Sequence, residues 1–104
     1  GGKSFPAFPL RIVYMPVEKE NLPVVSILIS VPKKRFKRAV KRNRVKRQIR
    51  EAYRKHRQIL TDSLAASGKK AIIAFIWLDN ELHSSNEVEA KVKKLLTLTT
   101  EHFS

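Results

Sequence analysis

Fourteen Lys and Arg side chains lie between Lys33 and Arg57 against a single acid, Glu51, so this 25-residue stretch alone carries a net charge of +13. The same stretch holds one apolar stripe, Val45, Ile49, Ala52, Tyr53 and His56, continued by Ile59 and Leu60, and no Gly or Pro interrupts it. Apolar residues recurring every three or four positions predict a core-facing helix from about Arg38 to Leu60. At about 100° per residue, Asn43, Arg47, Arg50 and Arg54 project opposite that stripe, Arg42, Lys46 and Arg57 lie on one flank, and Arg44 on the other. Any fold must therefore bury one side of this helix and leave a polycation on the other.

The remaining 79 residues carry eight basic and eight acidic side chains, so the whole chain's +13 over 104 residues resides in the one segment. Charge of that density repels itself unless an anionic partner neutralises it, and nucleic acid is the soluble polyanion with comparably spaced charges. A solvated basic face kept for solubility is the plain alternative, but acids elsewhere are not used to balance it. A DNA-reading basic helix lacks its usual companions, since no leucine heptads follow and no recognition-helix module is present. A membrane-surface helix needs its apolar side free to insert, whereas Val45, Ile49, Ala52 and Tyr53 are needed in a core with Ile27, Ile29 and Ile73. The longest apolar run, Ala71–Leu78, has eight residues, far short of the roughly 20 that span a bilayer as a helix. There is no cysteine, which excludes a disulfide framework and a thiolate metal site and fits a reducing compartment.

Apolar residues make up 42% of the chain and fall in blocks, enough for one domain over residues 1–104 with its own core. Leu10–Tyr14 reads as a strand, with Pro6 and Pro9 favouring an edge position or an irregular lead-in. Glu18–Asn21 is a polar turn and Val24–Val31 a second, β-branched strand, so the two strands are expected to form an antiparallel hairpin. Pro32 closes that strand, Lys33–Lys37 forms a basic loop, and after the helix Thr61–Lys70 is a small-residue connection containing Gly68. Ala71–Leu78, without clean alternation, is expected at the centre of the sheet. Asp79-Asn80 turns the chain, Ser84 with Glu87 has the form of a capping box, and Val88, Val92, Leu95, Leu96, Thr99 and Phe103 give a second amphipathic helix. The pattern predicts an α/β (α+β) two-layer sandwich, one mixed sheet with helices packed on it.

The side chains offer no catalytic constellation. Most of the nine acids are near turns and helix surfaces, and Asp79 with Glu81 is the only pair worth considering, read as a turn residue and a surface charge. His56, His83 and His102 lack metal-ligand spacing and an acid partner of obvious role, and His56 reads as a partly buried packing residue. No nucleophile elbow, P-loop or dinucleotide fingerprint is present. Binding chemistry is what remains: guanidinium groups match phosphate oxygens in pairs and Lys supplies mobile charge. Asn43, an amide between two arginines, adds nothing to a solubility face but suits a base edge, a phosphate or a backbone group. Phe5, Phe8, Tyr14 and Phe36 are candidates for base stacking; core packing is the default for each, and Phe36, inside the basic loop, is expected to be the exception.

The run Ser30-Val31-Pro32-Lys33-Lys34, followed by Ala39-Val40-Lys41-Arg42-Asn43-Arg44-Val45-Lys46-Arg47-Gln48-Ile49-Arg50-Glu51-Ala52-Tyr53-Arg54, closely resembles the signature of the bacterial ribonuclease P protein component. The resemblance implies a left-handed β-α-β crossover, where pattern alone gives a right-handed one. It implies the small protein subunit of a cytoplasmic ribonucleoprotein endonuclease that removes the 5′ leader from precursor tRNA, with catalysis by the RNA subunit and its Mg²⁺, no cofactor bound by the protein and no protein partner required. Carried over by motif position, Arg42, Asn43, Arg44, Lys46, Arg47 and Arg50 contact the catalytic RNA, with Lys33 and Lys34 beside them; Arg54 joins them by its place on the same helix face. The family's leader path runs along a cleft between the sheet face and the helices. Members usually begin with a basic, aromatic helix before a Gly-Lys-Ser-Phe-like stretch, and this chain starts at Gly1-Gly2-Lys3-Ser4-Phe5, so a shortened piece with an exposed apolar patch is expected. A general RNA-binding protein of ribosomal type is the alternative; it would bind folded RNA without activating a catalytic one.

Overall fold

The computed structural model describes residues 3–17, 25–68 and 70–103. Its elements are strands β1 (Lys3–Ala7), β2 (Leu10–Val17) and β3 (Val25–Ser30), helix α1 (Ala39–Ser67), strand β4 (Lys70–Trp77) and helix α2 (Ser85–Phe103). The strands form one sheet in the order β1-β2-β4-β3. β2 runs antiparallel to β4 and β3 runs parallel to it, so α1 is the crossover between two neighbouring parallel strands.

β4 is the central strand, as its apolar composition predicts. Ala71, Ile73, Phe75 and Trp77 are buried on one face, and the alternate residues Lys70, Ile72, Ala74 and Ile76 are half-buried on the other. The pairing register brings Leu10, Ile12 and Tyr14 of β2 beside Trp77, Phe75 and Ile73, and sets Ile27 and Ile29 of β3 beside Ile73 and Phe75. One sheet face is thereby apolar across three strands, and both helices cover it. From α1 come Val45, Ile49, Ala52, Tyr53, Leu60 and Leu64, and from α2 come Val88, Val92, Leu95 and Leu96, all buried. The ring of Tyr53 meets that of Phe75 edge-on at 6.1 Å. No helix among the described residues covers the opposite face of the sheet, where Met15 is 50% and Leu28 61% exposed. Two faces of mixed apolar character explain why β4 shows no alternation in sequence although its burial alternates.

Three expectations need correction. The antiparallel hairpin joins β1 to β2, Lys3 opposite Tyr14 and Ala7 opposite Leu10, and β4 separates β2 from β3. Adjacent strands in sequence are not neighbours here because the buried faces of both β2 and β3 complete the same face of β4. Pro6 sits in the edge strand β1, where a missing N–H is tolerated. Helix α1 does not stop at Leu60 but runs to Ser67, because Leu64, four residues beyond Leu60 and fully buried, extends the stripe by a further turn through the segment read as a connection. Gly68 ends it in the left-handed conformation, φ 70°, its N–H directed to the carbonyls of Ala65 and Leu64, a conformation a Cβ disfavours. Finally, β3 ends at Ser30, and Val31 is a buried core residue just outside it. The turn Glu18–Asn21, Val24 and the side chain of Phe103 lie outside the described residues.

Ile73→Ala at the centre of the core is expected to cost about 2–5 kcal/mol and Gly68→Ala about 1 kcal/mol. Urea unfolding of both variants, compared at unchanged m-value, measures this.

Candidate nucleic-acid interface

The basic surface begins in the loop before α1. Pro32–Arg35 closes a turn through the Arg35 N–H donating to the Pro32 carbonyl at 3.0 Å. Phe36 then buries its ring, 5% exposed, in the core, which pins the loop and corrects its expected role as a stacking platform. Arg42, one turn into the helix, reaches back: its Nη1 donates to the carbonyls of Phe36 at 2.7 Å and Lys37 at 3.0 Å. Arg38 occupies the N-cap with extended backbone and no side-chain cap, and no acid stands in the first turn. The N-terminal end of α1 is therefore electropositive through its exposed amides as well as through Lys37, Arg38 and Lys41. Arg35 extends the connection sideways, its Nη1 donating to Asn80 Oδ1 at 3.4 Å.

Along the helix, Asn43, Arg44, Arg47, Arg50 and Arg54 are exposed, as are Lys33 and Lys34 in the loop, while Arg42 and Lys46 are half-buried. Arg47, Arg50, Glu51 and Arg54 line a shallow cleft on the outer side of α1. Among the described residues no ion pair joins an α1 arginine to a carboxylate. Of the residues predicted from sequence, Asn43, Arg44, Arg47, Arg50 and Arg54 are thus exposed along α1 and Lys33 and Lys34 in the loop before it, while Lys46 is half-buried and Arg42 braces the loop. The aromatic candidates do not gather. Tyr14 is in the core at 2% exposure, Phe5 stacks on it at 6.0 Å, and only Phe8, at the β1–β2 turn, is 60% exposed.

Residues that sequence reasoning passed over position this surface. Gln48, 8% exposed among charged neighbours, donates through Nε2 to the His83 carbonyl at 3.1 Å and to Ser85 Oγ at 3.2 Å, tying α1 to the start of α2. His56 pairs with Glu89 across the helices at 3.0 Å. His83 lies between two carboxylates, Nε2 at 2.7 Å from Asp79 and Nδ1 on Glu87, and its ring meets Trp77 edge-on at 5.4 Å. The equal spacing of Asp79, His83 and Glu87 was the available signal, obscured because only the last lies in a helix. The capping box is half realised: Ser84 Oγ accepts from the Glu87 N–H at 3.2 Å, while the Glu87 carboxylate turns to His83. Among the described residues no group of three or more His, Cys, Asp or Glu side chains is arranged to hold a metal ion, and no helix is long and apolar enough to cross a membrane.

Known proteins match this arrangement. The sequence matches the family described as Ribonuclease P over residues 1–99. It is 46% identical over 95 residues to the ribonuclease P protein component of Porphyromonas gingivalis, covering 91% of this chain and 69% of that one. To the component of Chlorobaculum tepidum it is 44% identical over 84 residues, covering 74% of this chain and 54% of that one. Its fold superposes on the RNase P protein of Staphylococcus aureus with a TM-score of 0.71 at 20% identity, covering 94% of this chain and 81% of that one. The Thermotoga maritima protein gives 0.70 at 24% identity, covering 92% and 84%.

The hydrogen bond from His83 holds the Asp79 carboxyl below its usual value, and Asp79, then Glu87, raise the His83 imidazole above its usual 6.5 despite its partial burial. A raised histidine stabilises the fold fully below the unfolded value and loses that contribution as pH rises through the folded value. A depressed aspartate contributes above about 3.8 and loses it as pH falls through its lower folded value. Stability should therefore decline as pH rises above about 6.5, and His83→Gln should flatten that slope in thermal melts taken from pH 5.5 to 8.5.

Proposed function

The chain belongs to the ribonuclease P protein family, and from that membership we propose that the outer face of α1 seats the RNA subunit of the ribonucleoprotein. The protein is the component of an endoribonuclease that matures the 5′ end of tRNA, and an RNA subunit is its partner. One observation carries the proposal: Arg44, Arg47, Arg50 and Arg54 stand exposed and unpaired with any described carboxylate, on a helix whose other side is locked in the core. Preorganised guanidinium groups on a rigid element bind phosphate oxygens without first breaking internal ion pairs. Asn43, on the same face, supplies an amide for a base edge or a ribose. Lys33 and Lys34 add mobile charge where the chain enters α1, and Arg42 fixes the shape of that entry. An A-form duplex hides its base edges in a deep groove, so a helix of this kind recognises backbone geometry and exposed loops.

Hydrolysis in this reading belongs to the RNA subunit and its Mg²⁺. What supports that division is how the described carboxylates are used: Asp79, Glu87 and Glu89 face histidines that tie structural elements together, and they do not converge on a cleft. The protein contributes electrostatics, lowering the Mg²⁺ concentration at which the RNA folds and cleaves. The 5′ leader of precursor tRNA is its second ligand. Of the four aromatic candidates Phe8 alone is largely exposed, its ring touching only that of His83 among the described rings, so it is the residue we assign to stacking on a leader base; the enzyme acts in the bacterial cytoplasm, and no further protein is required.

The test is cleavage of 5′-labelled precursor tRNA by a bacterial ribonuclease P RNA at low Mg²⁺, with and without this chain. Stimulation is expected, and its absence would remove the proposal. Arg47→Ala and Arg50→Ala should each weaken RNA affinity by roughly 1–3 kcal/mol with melting temperature unchanged; a lowered melting temperature at unchanged affinity would take these residues off the RNA face. Phe8→Ala should leave RNA-subunit affinity intact and raise KM for leader-bearing substrate about tenfold, the lower end of base-stacking energies.

A further inference from the structure

Glu51 is the single acid among fourteen bases between Lys33 and Arg57, and it is not at the margin of the basic face. Its helical phase sets it beside Arg47 and Arg54, and with them and Arg50 it lines the cleft of about 230 Å³ on the outer side of α1. Arg47 stands four residues before it and Lys55 four after, the spacing at which a helix pairs Glu with a base. Yet its carboxylate makes no ion pair with any described residue and is exposed to solvent. It neither braces the helix nor neutralises a neighbour by direct contact.

On a surface that gathers phosphates, such a carboxylate weakens binding wherever a phosphate approaches it, because like charges a few ångströms apart repel. It strengthens binding only where the ligand presents an N–H or O–H donor. RNA has base N–H groups, of which Glu accepts most readily from the exocyclic amines, and the ribose 2′-hydroxyl, which alternates along the strand with the phosphates that Arg47 and Arg54 would hold. We propose that Glu51 is the specificity-determining residue of the α1 face, accepting a hydrogen bond from a base amine or 2′-hydroxyl of the RNA subunit while repelling any RNA that places a phosphate in the cleft. Discrimination by repulsion is a general device where attraction alone is indiscriminate, and fourteen cations attract every RNA. This inference rests on α1 being the RNA-subunit face.

The experiment compares the wild-type chain with Glu51→Ala and Glu51→Lys in binding a bacterial ribonuclease P RNA and an unrelated duplex RNA of equal length at several salt concentrations. Loss of a charge-assisted hydrogen bond should weaken binding to the ribonuclease P RNA about tenfold in Glu51→Ala. The same change should leave the unrelated RNA bound equally or more tightly, and Glu51→Lys should shift the two RNAs in opposite directions. Melting temperatures should stay within about 2 °C of wild type, as for an exposed helix position. If both RNAs bind more tightly to both variants at a constant ratio, Glu51 acts through charge alone and the inference fails while the α1 reading stands. If the wild-type chain shows no preference between the two RNAs, the inference fails; if Arg47→Ala and Arg50→Ala leave binding to the ribonuclease P RNA unchanged, the α1 reading fails and takes this one with it. Analogue interference then separates the donors: a 2′-deoxy position whose effect vanishes in Glu51→Ala identifies the ribose, an inosine-for-guanosine, purine-riboside-for-adenosine or zebularine-for-cytidine position identifies a base amine, and no such position in any series refutes the hydrogen bond.

Discussion

Everything in this molecule depends on the contact between the inner stripe of α1 and the central strand β4. Ile49 and Tyr53 lie on the face formed by Ile73 and Phe75, all of them buried. Without that burial, a helix with fourteen cations along it and in the loop before it would have nothing to oppose its self-repulsion. An isolated helix derives little stability from propensity, and packing of one apolar side supplies the rest. Because the stripe is narrow and continuous, the arginines are directed outward as a group, so the same contact that makes the helix stable orients its charge.

A second set of contacts fixes where that helix begins and what lies beside it. Phe36 anchors the basic loop from inside, Arg42 holds its carbonyls from outside, and Gln48 joins α1 to the β4–α2 connection. Partly buried hydrogen bonds of this kind cost more to break than exposed ones, so they favour one arrangement of loop and helix. A rigid frame matters for a surface that recognises a folded RNA by geometry, because phosphates must be met at fixed separations. Three of the few acids, Asp79, Glu87 and Glu89, engage histidines beside the helices, and along the arginine-bearing part of α1 Glu51 is the one acid, Asp62 standing nearer the helix end.

Much of the candidate site was legible beforehand because it lies on one element. Helical phase needs only the interval between residues, so Asn43, Arg47, Arg50 and Arg54 could be set on a common face from the sequence. The aromatic candidates span three different segments, and nothing in their spacing told which ring the core would take. Tyr14 and Phe36 are buried in the core, Tyr14 with the distant His102 against its ring, and Phe8, in the turn at the edge of the sheet, is exposed. Likewise His56 showed its packing role but not Glu89, 33 residues away.

By itself the sequence determined the long amphipathic helix, the side on which its charge lies, the central apolar strand and the second helix, because each follows from periodicity within one segment. Only the tertiary structure decided that β2 pairs with β1 and β4 and not with β3, that α1 continues to Ser67 over a buried Leu64, and that Arg42 is turned inward to the loop while its neighbours face solvent. Those outcomes depend on contacts between residues far apart in the chain. Strand order is settled by which arrangement completes a common apolar face, and the end of a helix by whether a core is there to receive one more turn.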